Sequence, residues 1–248
     1  MRIIISPAKK MNVQTDILTA DYMPRYIDRT EKLLQWMQGL SLQELKTLWG
    51  CNDKIALQNY ERIRHMDLRR GLTPSLLAYE GIQYQYMAPQ IFSQDELDYV
   101  QDHLQILSGF YGVLKPMDSV VPYRLEMQAR IHMNGCSSLY DFWGDALYRA
   151  VMDGNDDRLI INLASKEYSR TILPWLTPQD RMITCIFGEL KDGKILQKGT
   201  MAKMARGEMV RFMASQWVCE ADELKEFDGL GYAFDQERSD EHSFVFLK

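Results

Sequence analysis

The sequence predicts a mixed α/β (α+β) fold: one compact domain over residues 1–248, a mixed sheet with flanking helices, and an inserted helix-hairpin-helix at about 41–66. Two continuous apolar runs that stop at small polar residues predict buried strands, and capped segments with apolar residues at three- and four-residue spacing predict helices. No regular strand-helix alternation, internal repeat or Gly/Ser linker accompanies them, which argues for one unit rather than a doubly wound sheet or separate domains.

The first strand is Ile3-Ile4-Ile5, a β-branched run that wants cover on both faces and ends at Ser6-Pro7, since proline cannot extend a ladder. A helix follows from Pro24 to Met37. Ser41-Leu42-Gln43-Glu44 and Ser93-Gln94-Asp95-Glu96 fit the capping box, in which the serine hydroxyl accepts from the N3 amide and the glutamate reaches back. The second box predicts a helix to Leu107 that stops near Gly109, with Leu97, Val100, Leu104 and Leu107 on its buried stripe and His103 beside it. Another helix is expected from Leu139 to Met152, then a second buried strand, Leu159 to Leu163, running into Ala164-Ser165. Asp192-Gly193 is a two-residue hairpin signal inside a β region from Met182 to Gln197. A helix from Met201 to Val218 and an antiparallel pair, Gly231 to Phe234 with Phe244 to Phe246, complete the chain.

At 46% hydrophobic and 25% charged, the chain can build a core without disulfides, which excludes disorder and a fibre. Cys51, Cys136, Cys185 and Cys219 form no Cys-x-x-Cys pair, and Met1 to Ile5 lacks the apolar run of a signal peptide, so a reducing cytoplasm is expected. No uncharged stretch approaches the roughly 20 residues of a membrane helix, and no membrane partner is expected. Net charge is −5, from 29 basic and 34 acidic residues, but nine acids against two bases fall between Glu220 and Glu241. The rest is near neutral, with basic windows at Lys54 to Arg70 and Lys198 to Arg211. Local field, not net charge, attracts a polyanion.

Leu45 to Ile63 reads as a helix, a tight turn at Gly50 to Asn52, and a second helix. Glycine takes positive φ freely and asparagine tolerates it, so the chain can reverse there and present amides to an anion. Lys54, Arg62 and Arg64 would add charge, and Ala56 allows close helix approach. A plain helical hairpin packed on the core fits the same residues, and Asp53 suits a helix start without any ligand.

Four stretches join aromatic, glycine and charged residues at a density that suits a cleft wall: 108–116, 122–127, 142–145 and 162–168. Arg124 with Glu126, or Asp145 with a nearby base, fits a partly buried ion pair equally well. Ser6, Lys9, Ser165 and Lys166 follow the two buried strands, where open sheets place their sites. Lys203, Arg206 and Arg211 form a basic helix face, and Gly207 between them suggests close approach by another backbone or a ligand. His132 with Cys136 is the only workable metal spacing, through a loop-like turn, and no Gly-rich phosphate loop is present; neither a metal nor an organic cofactor is expected.

Taken in order, Ser6-Pro7-Ala8-Lys9, Leu107 to Asp118, Pro122 to Met127, Phe142-Trp143-Gly144-Asp145, Asn162 to Ser165 with Glu167-Tyr168, Lys203 with Ala205-Arg206-Gly207, and Phe234-Asp235 resemble the YaaA family of bacterial peroxide-stress-resistance proteins across essentially the whole chain. The resemblance implies a cytoplasmic protein that limits oxidative damage and binds double-stranded and branched DNA through a positively charged cleft and a helix-hairpin-helix, in a fold of the family's own. Carried over, the hairpin is Leu48 to Ala56 and the cleft cations are Lys9, Lys115, Arg124, Lys203, Arg206 and Arg211. This chain has Met204 where the family pattern has a second lysine, which lowers the DNA affinity expected.

The leading expectation is therefore sequence-independent DNA binding through Gly50, Asn52, Lys54, Arg62, Arg64, Lys115, Lys203, Arg206 and Arg211. Its alternative is an enzyme acting on a small phosphate- or carboxylate-bearing ligand, with Ser6, Lys9, Tyr111, Arg124, Lys203 and Arg206 meeting in one enclosed pocket. A third reading is a partner-binding adaptor that uses the acidic 220–241 segment. Enclosure of those residues away from the hairpin favours the second reading; their dispersal defeats it.

Overall fold

The computed structural model describes residues 1–14, 18, 20, 22–133 and 135–248. Its eight-stranded sheet comprises β1 (Arg2–Ile5), β2 (Leu104–Ser108), β3 (Gly112–Leu114), β4 (Leu159–Leu163), β5 (Arg181–Lys191), β6 (Lys194–Leu196), β7 (Ala233–Phe234) and β8 (Ser243–Leu247). The order is β7-β8-β5-β4-β1-β2-β3, with β6 paired to β5. As the unbroken isoleucine run requires, β1 is central: Ile3 lies between Leu104 and Ile161 in parallel register, and Ile3, Ile4 and Ile5 are fully buried. Burying each such side chain contributes about 1.5–3 kcal/mol before chain entropy is charged against it. β4, β5 and β8 continue the parallel array, while β3, β6 and β7 pair antiparallel. The fold is thus the mixed α/β type that the sequence predicts.

One feature of this order positions the site. From β1 the chain goes to β2 on one side, and after β3 it crosses to β4 on the other before moving outward to β5. Connections therefore leave the adjacent strands β1 and β4 in opposite directions, opening a crevice beyond their carboxyl ends.

Two helices differ from expectation. The helix capped by Ser93 ends at His103, and Leu104–Ser108 is a strand with every residue buried. Leu104 and Leu107 satisfy a helical stripe and a buried strand alike, and pairing beside β1 decides for the strand. The Leu139–Met152 segment is two short helices, Leu139–Trp143 and Ala146–Met152, broken where Gly144 adopts φ 52, ψ −130. Asp192 and Gly193 both take positive φ, as the tight β5–β6 turn demands.

Helices α1 (Ile27–Gln38), α2 (Leu42–Trp49) and α3 (Asp53–Arg64) form the early helical layer, with the Ser41 capping box intact. Downstream, α4 (Ile82–Met87) packs against the long α5 (Gly199–Ser215). Gly207 explains that contact: a Cβ there would lie 2.0 Å from the Gln83 carbonyl oxygen and 2.9 Å from the Met87 nitrogen. The close approach suggested by this glycine is by a backbone, not a ligand.

Candidate functional site

A cavity of about 520 Å³ occupies the crevice beyond β1 and β4. Ser6 and Ser165, the residues that follow the two strands, meet across it: Ser165 N donates to Ser6 Oγ at 2.8 Å, and the two hydroxyls are 3.3 Å apart. Tyr84 from α4 donates through its hydroxyl to the Ser6 carbonyl at 3.0 Å, fixing the strand end from the opposite wall. Tyr123 and Tyr168 add further aromatic lining. Beneath, the Tyr123 hydroxyl bonds to Ser108 Oγ at 2.6 Å and to the Tyr79 hydroxyl at 2.9 Å. Burial raises the Tyr84 and Tyr168 pKa values well above the ordinary phenol value and moves that of Tyr123 to about 12, so these rings are neutral.

Charge enters from three directions. Lys9, just past β1, pairs with Glu126 Oε2 at 2.9 Å, and Arg124 Nη2 donates to Glu126 Oε1 at 3.2 Å. Lys203 and Arg206 come from α5, one turn apart. Neither pairs with a carboxylate among the described residues. Arg206 is deep enough that burial lowers its pKa, and its charge presses that of the buried Cys185 thiol downward against a larger desolvation that holds it at about 12. Nε of Arg124, Nε of Arg206 and Nε2 of Gln83 are buried without a partner among the described residues, and all three residues line the cavity. Buried N–H donors left unmet cost about 1–3 kcal/mol each. Glu167, at the start of the short helix after β4, accepts from Gln128 N at 3.2 Å; burial raises its carboxyl pKa, and the Glu126 charge adds to that.

Of the residues singled out in the sequence, Ser6, Lys9, Arg124, Lys203 and Arg206 line this one cavity. Tyr111 does not: it is 1% exposed, and its hydroxyl accepts from Val121 N at 3.1 Å inside the core. Arg211, a half-buried residue farther along α5, does not line it either. Exposed Lys115 borders a separate cavity of about 160 Å³ with Arg25, Asp118 and Asp153. Gln83, Tyr84 and Glu167 belong to the lining beyond those candidates; only Glu167 stood in a segment marked as cleft-like, and Gly81 ahead of the unforeseen α4 is the lone signal for the other two.

The hairpin presents a different arrangement. Gly50 ends α2 in the left-handed conformation (φ 53, ψ 47), as expected. Asn52, by contrast, is extended (φ −74, ψ 167) and caps α3, its Oδ1 accepting from Ile55 N at 3.0 Å. Its side chain thus fills the place where an anion would meet that amide. Lys46 Nζ and Asp53 Oδ1 form an ion pair of 2.6 Å across the turn. Exposed Lys54 has no carboxylate partner among the described residues, Arg62 donates to Asn59 Oδ1 at 3.1 Å, and the Arg64 guanidinium lies 5.3 Å from the Tyr60 ring centroid. Arg62, His65 and Arg70 border an open depression of about 540 Å³, separate from the crevice. Asn134, between His132 and Cys136, lies outside the described residues; Met133 and Cys136 close that loop as an isolated bridge. No helix in the described chain is long and apolar enough to cross a membrane.

Residues 1–238 match the family described as Peroxide stress protein YaaA. The chain is 55% identical over 246 residues to a UPF0246 protein of Agathobacter rectalis, covering 99% of this chain and 98% of that one. It is 52% identical over 248 residues to a UPF0246 protein of Pediococcus pentosaceus and 51% identical over 248 residues to one of Desulfitobacterium hafniense, in each case covering 100% of this chain and 98% of the relative. With a whole-length match of this kind, the chain belongs to the YaaA peroxide-stress family.

Proposed function

We propose that the chain serves peroxide-stress resistance by binding, in the crevice between β1 and β4, a small molecule that carries a phosphate or carboxylate group. The observation that carries this reading is the pair of half-buried arginines, Arg124 and Arg206, each with a buried Nε donor that has no partner among the described residues. Charged donors in that state destabilise the protein until an anion meets them. Their place at the reversal of strand order, and a volume within the roughly 300–1,000 Å³ of small-molecule pockets, support it. Lys9 and Arg124 hold Glu126 and are held by it, so that trio sets the shape of one wall, while Lys203 and Arg206 keep their charge for the ligand.

Ser6 is an anchoring group in this account. Its Oγ already accepts from Ser165 N, and its side-chain neighbour is the Ser165 hydroxyl rather than a base. Lys9 is engaged as a cation by Glu126 and is not placed to take the Ser6 proton. Titrating the full chain calorimetrically with inorganic phosphate and with succinate tests the proposal. Saturable binding to at least one, weakened about tenfold or more by Arg206→Gln, is expected; equal heats from wild type and variant, or no saturation with either anion, contradicts it.

DNA binding through the hairpin is the second reading, supported by Lys54, Arg62 and Arg64 lacking carboxylate partners among the described residues. It predicts duplex affinity that falls with salt, with a log–log slope that flattens by about 2–3 when all three become alanine. An unchanged slope removes it.

A further inference from the structure

The charged groups that line the cavity differ in what they leave unsatisfied. Five cationic residues and three carboxylates line it. Lys10 is paired with Glu80 at the rim, and Lys9 and Arg124 share Glu126. What remains is two cations on α5, Lys203 and Arg206, and one carboxylate, Glu167, on the short helix after β4. The charges nearest Glu167 are those of Glu126 and Lys9, while Arg206 faces the thiol of Cys185 in β5. The neutral rings of Tyr84, Tyr123 and Tyr168 line the same cavity.

Each part selects ligand chemistry. Two adjacent cations without counter-charge match the dianion of a phosphate monoester better than a single carboxylate, and the planar guanidinium of Arg206 presents paired donors to phosphate oxygens. Glu167 accepts from Gln128 N and is also stabilised by the Met127 amide, yet a carboxylate with about four lone-pair sites keeps capacity to accept a further hydrogen bond from a ligand. Aromatic lining suits a flat ring.

We infer, resting on the anion-site reading above, that the crevice takes a nucleoside monophosphate whose base edge carries N–H donors, with the phosphate at Lys203 and Arg206 and the donating edge at Glu167. A guanine edge supplies two N–H donors of the kind a carboxylate accepts. Glu167 is thereby assigned as a specificity residue. The inference concerns binding only, and it requires no bond to form or break.

The test is calorimetric titration of the full chain with GMP, guanosine and inorganic phosphate, repeated on Glu167→Gln and Lys203→Ala. Gln retains an oxygen to accept from Gln128 N, and a melting temperature within about a degree of wild type confirms that the variant is folded. GMP binding at least tenfold tighter than either fragment is expected in the wild type. Glu167→Gln should weaken GMP about tenfold while leaving phosphate within about twofold, and Lys203→Ala should weaken both phosphate-bearing probes. Phosphate binding as tightly as GMP, or Glu167→Gln weakening the two equally, overturns the nucleotide assignment and leaves the anion site standing. Absence of saturable binding by both GMP and phosphate overturns this inference and contradicts phosphate recognition at the site, whereas succinate binding alone would preserve the broader anion reading.

Discussion

The crevice and the helical hairpin both carry clustered cations, yet they treat them in opposite ways. In the crevice, the Nε donors of Arg124 and Arg206 are out of water and unmet among the described residues, Arg206 with no carboxylate partner there and Arg124 with Glu126 as its counter-charge, while Lys203 beside them is exposed. On the hairpin, the turn's polar groups are satisfied locally: Asn52 caps α3, and Lys46 pairs with Asp53. Of its other cations, Lys54 stands in solvent, half-buried Arg62 donates to Asn59, and Arg64 lies over the Tyr60 ring. A solvated cation costs nothing to hold and therefore says little about a partner. A desolvated, unmatched one is retained at the expense of stability, and that expense points to a ligand.

The largest loss from a single substitution is expected at the helix contact that builds the crevice wall. Gly207→Ala drives a methyl group into the Gln83 carbonyl and should destabilise the fold by about 3 kcal/mol in denaturant unfolding; Gly50→Ala, with open space around its left-handed backbone, should lose only about 1–2 kcal/mol. A smaller loss at Gly207 would mean that α4 and α5 can separate, and that the crevice is not rigid.

Next comes a buried charge away from both regions. Asp118 is 6% exposed, and burial raises its pKa to about 7 despite the backbone bond from Lys115 N at 2.9 Å. A carboxyl raised in the folded state holds a proton there that the unfolded chain has lost. Stability should therefore fall as pH rises from about 4 to about 7, by up to about 1.4 kcal/mol per pH unit, and level off above. Asp118→Asn should flatten that fall in a series of pH-dependent melts; an unchanged profile would show that burial alone does not tune charge here.

Arg206→Met is the sharper probe. Replacing an unmatched buried cation by an apolar side chain of similar length should raise the ligand-free stability by about 1 kcal/mol while abolishing anion binding. Loss of stability would mean that the guanidinium has partners in the folded protein. The smallest effect belongs to the hairpin cap: Asn52→Ala should lose about 1 kcal/mol or slightly less, without altering the affinity of the crevice for phosphate.

Much of this frame is legible in the residues themselves. Continuous apolar runs identify β1 and β4 because a strand covered on both faces needs no alternation, and Asp192-Gly193 marks its turn through positive φ. The Ser6 and Lys9 candidates follow from the place of strand ends in open sheets. β2 is not legible, since Leu104 and Leu107 fit a helical stripe and only pairing with Ile3 and Ile5's neighbours settles the matter. Tyr111 sits in a motif rich in cleft-like residues, but its ring packs against Phe110 and Tyr123 and its hydroxyl serves a backbone amide. Residue type near a glycine does not say which way a side chain turns. Gln83 and Tyr84 escape because the short α4 has no cap or periodicity to announce it, and Asn52 is misread because one residue type serves both left-handed turns and helix caps.

Phosphate titrated side by side into the wild type, a Lys203→Ala/Arg206→Gln double variant and a Lys54→Ala/Arg62→Ala/Arg64→Ala triple variant weighs the two cation clusters most directly. The account predicts one saturable site, lost in the double variant and kept in the triple. Loss in the triple variant with retention in the double would place the anion on the hairpin and contradict it.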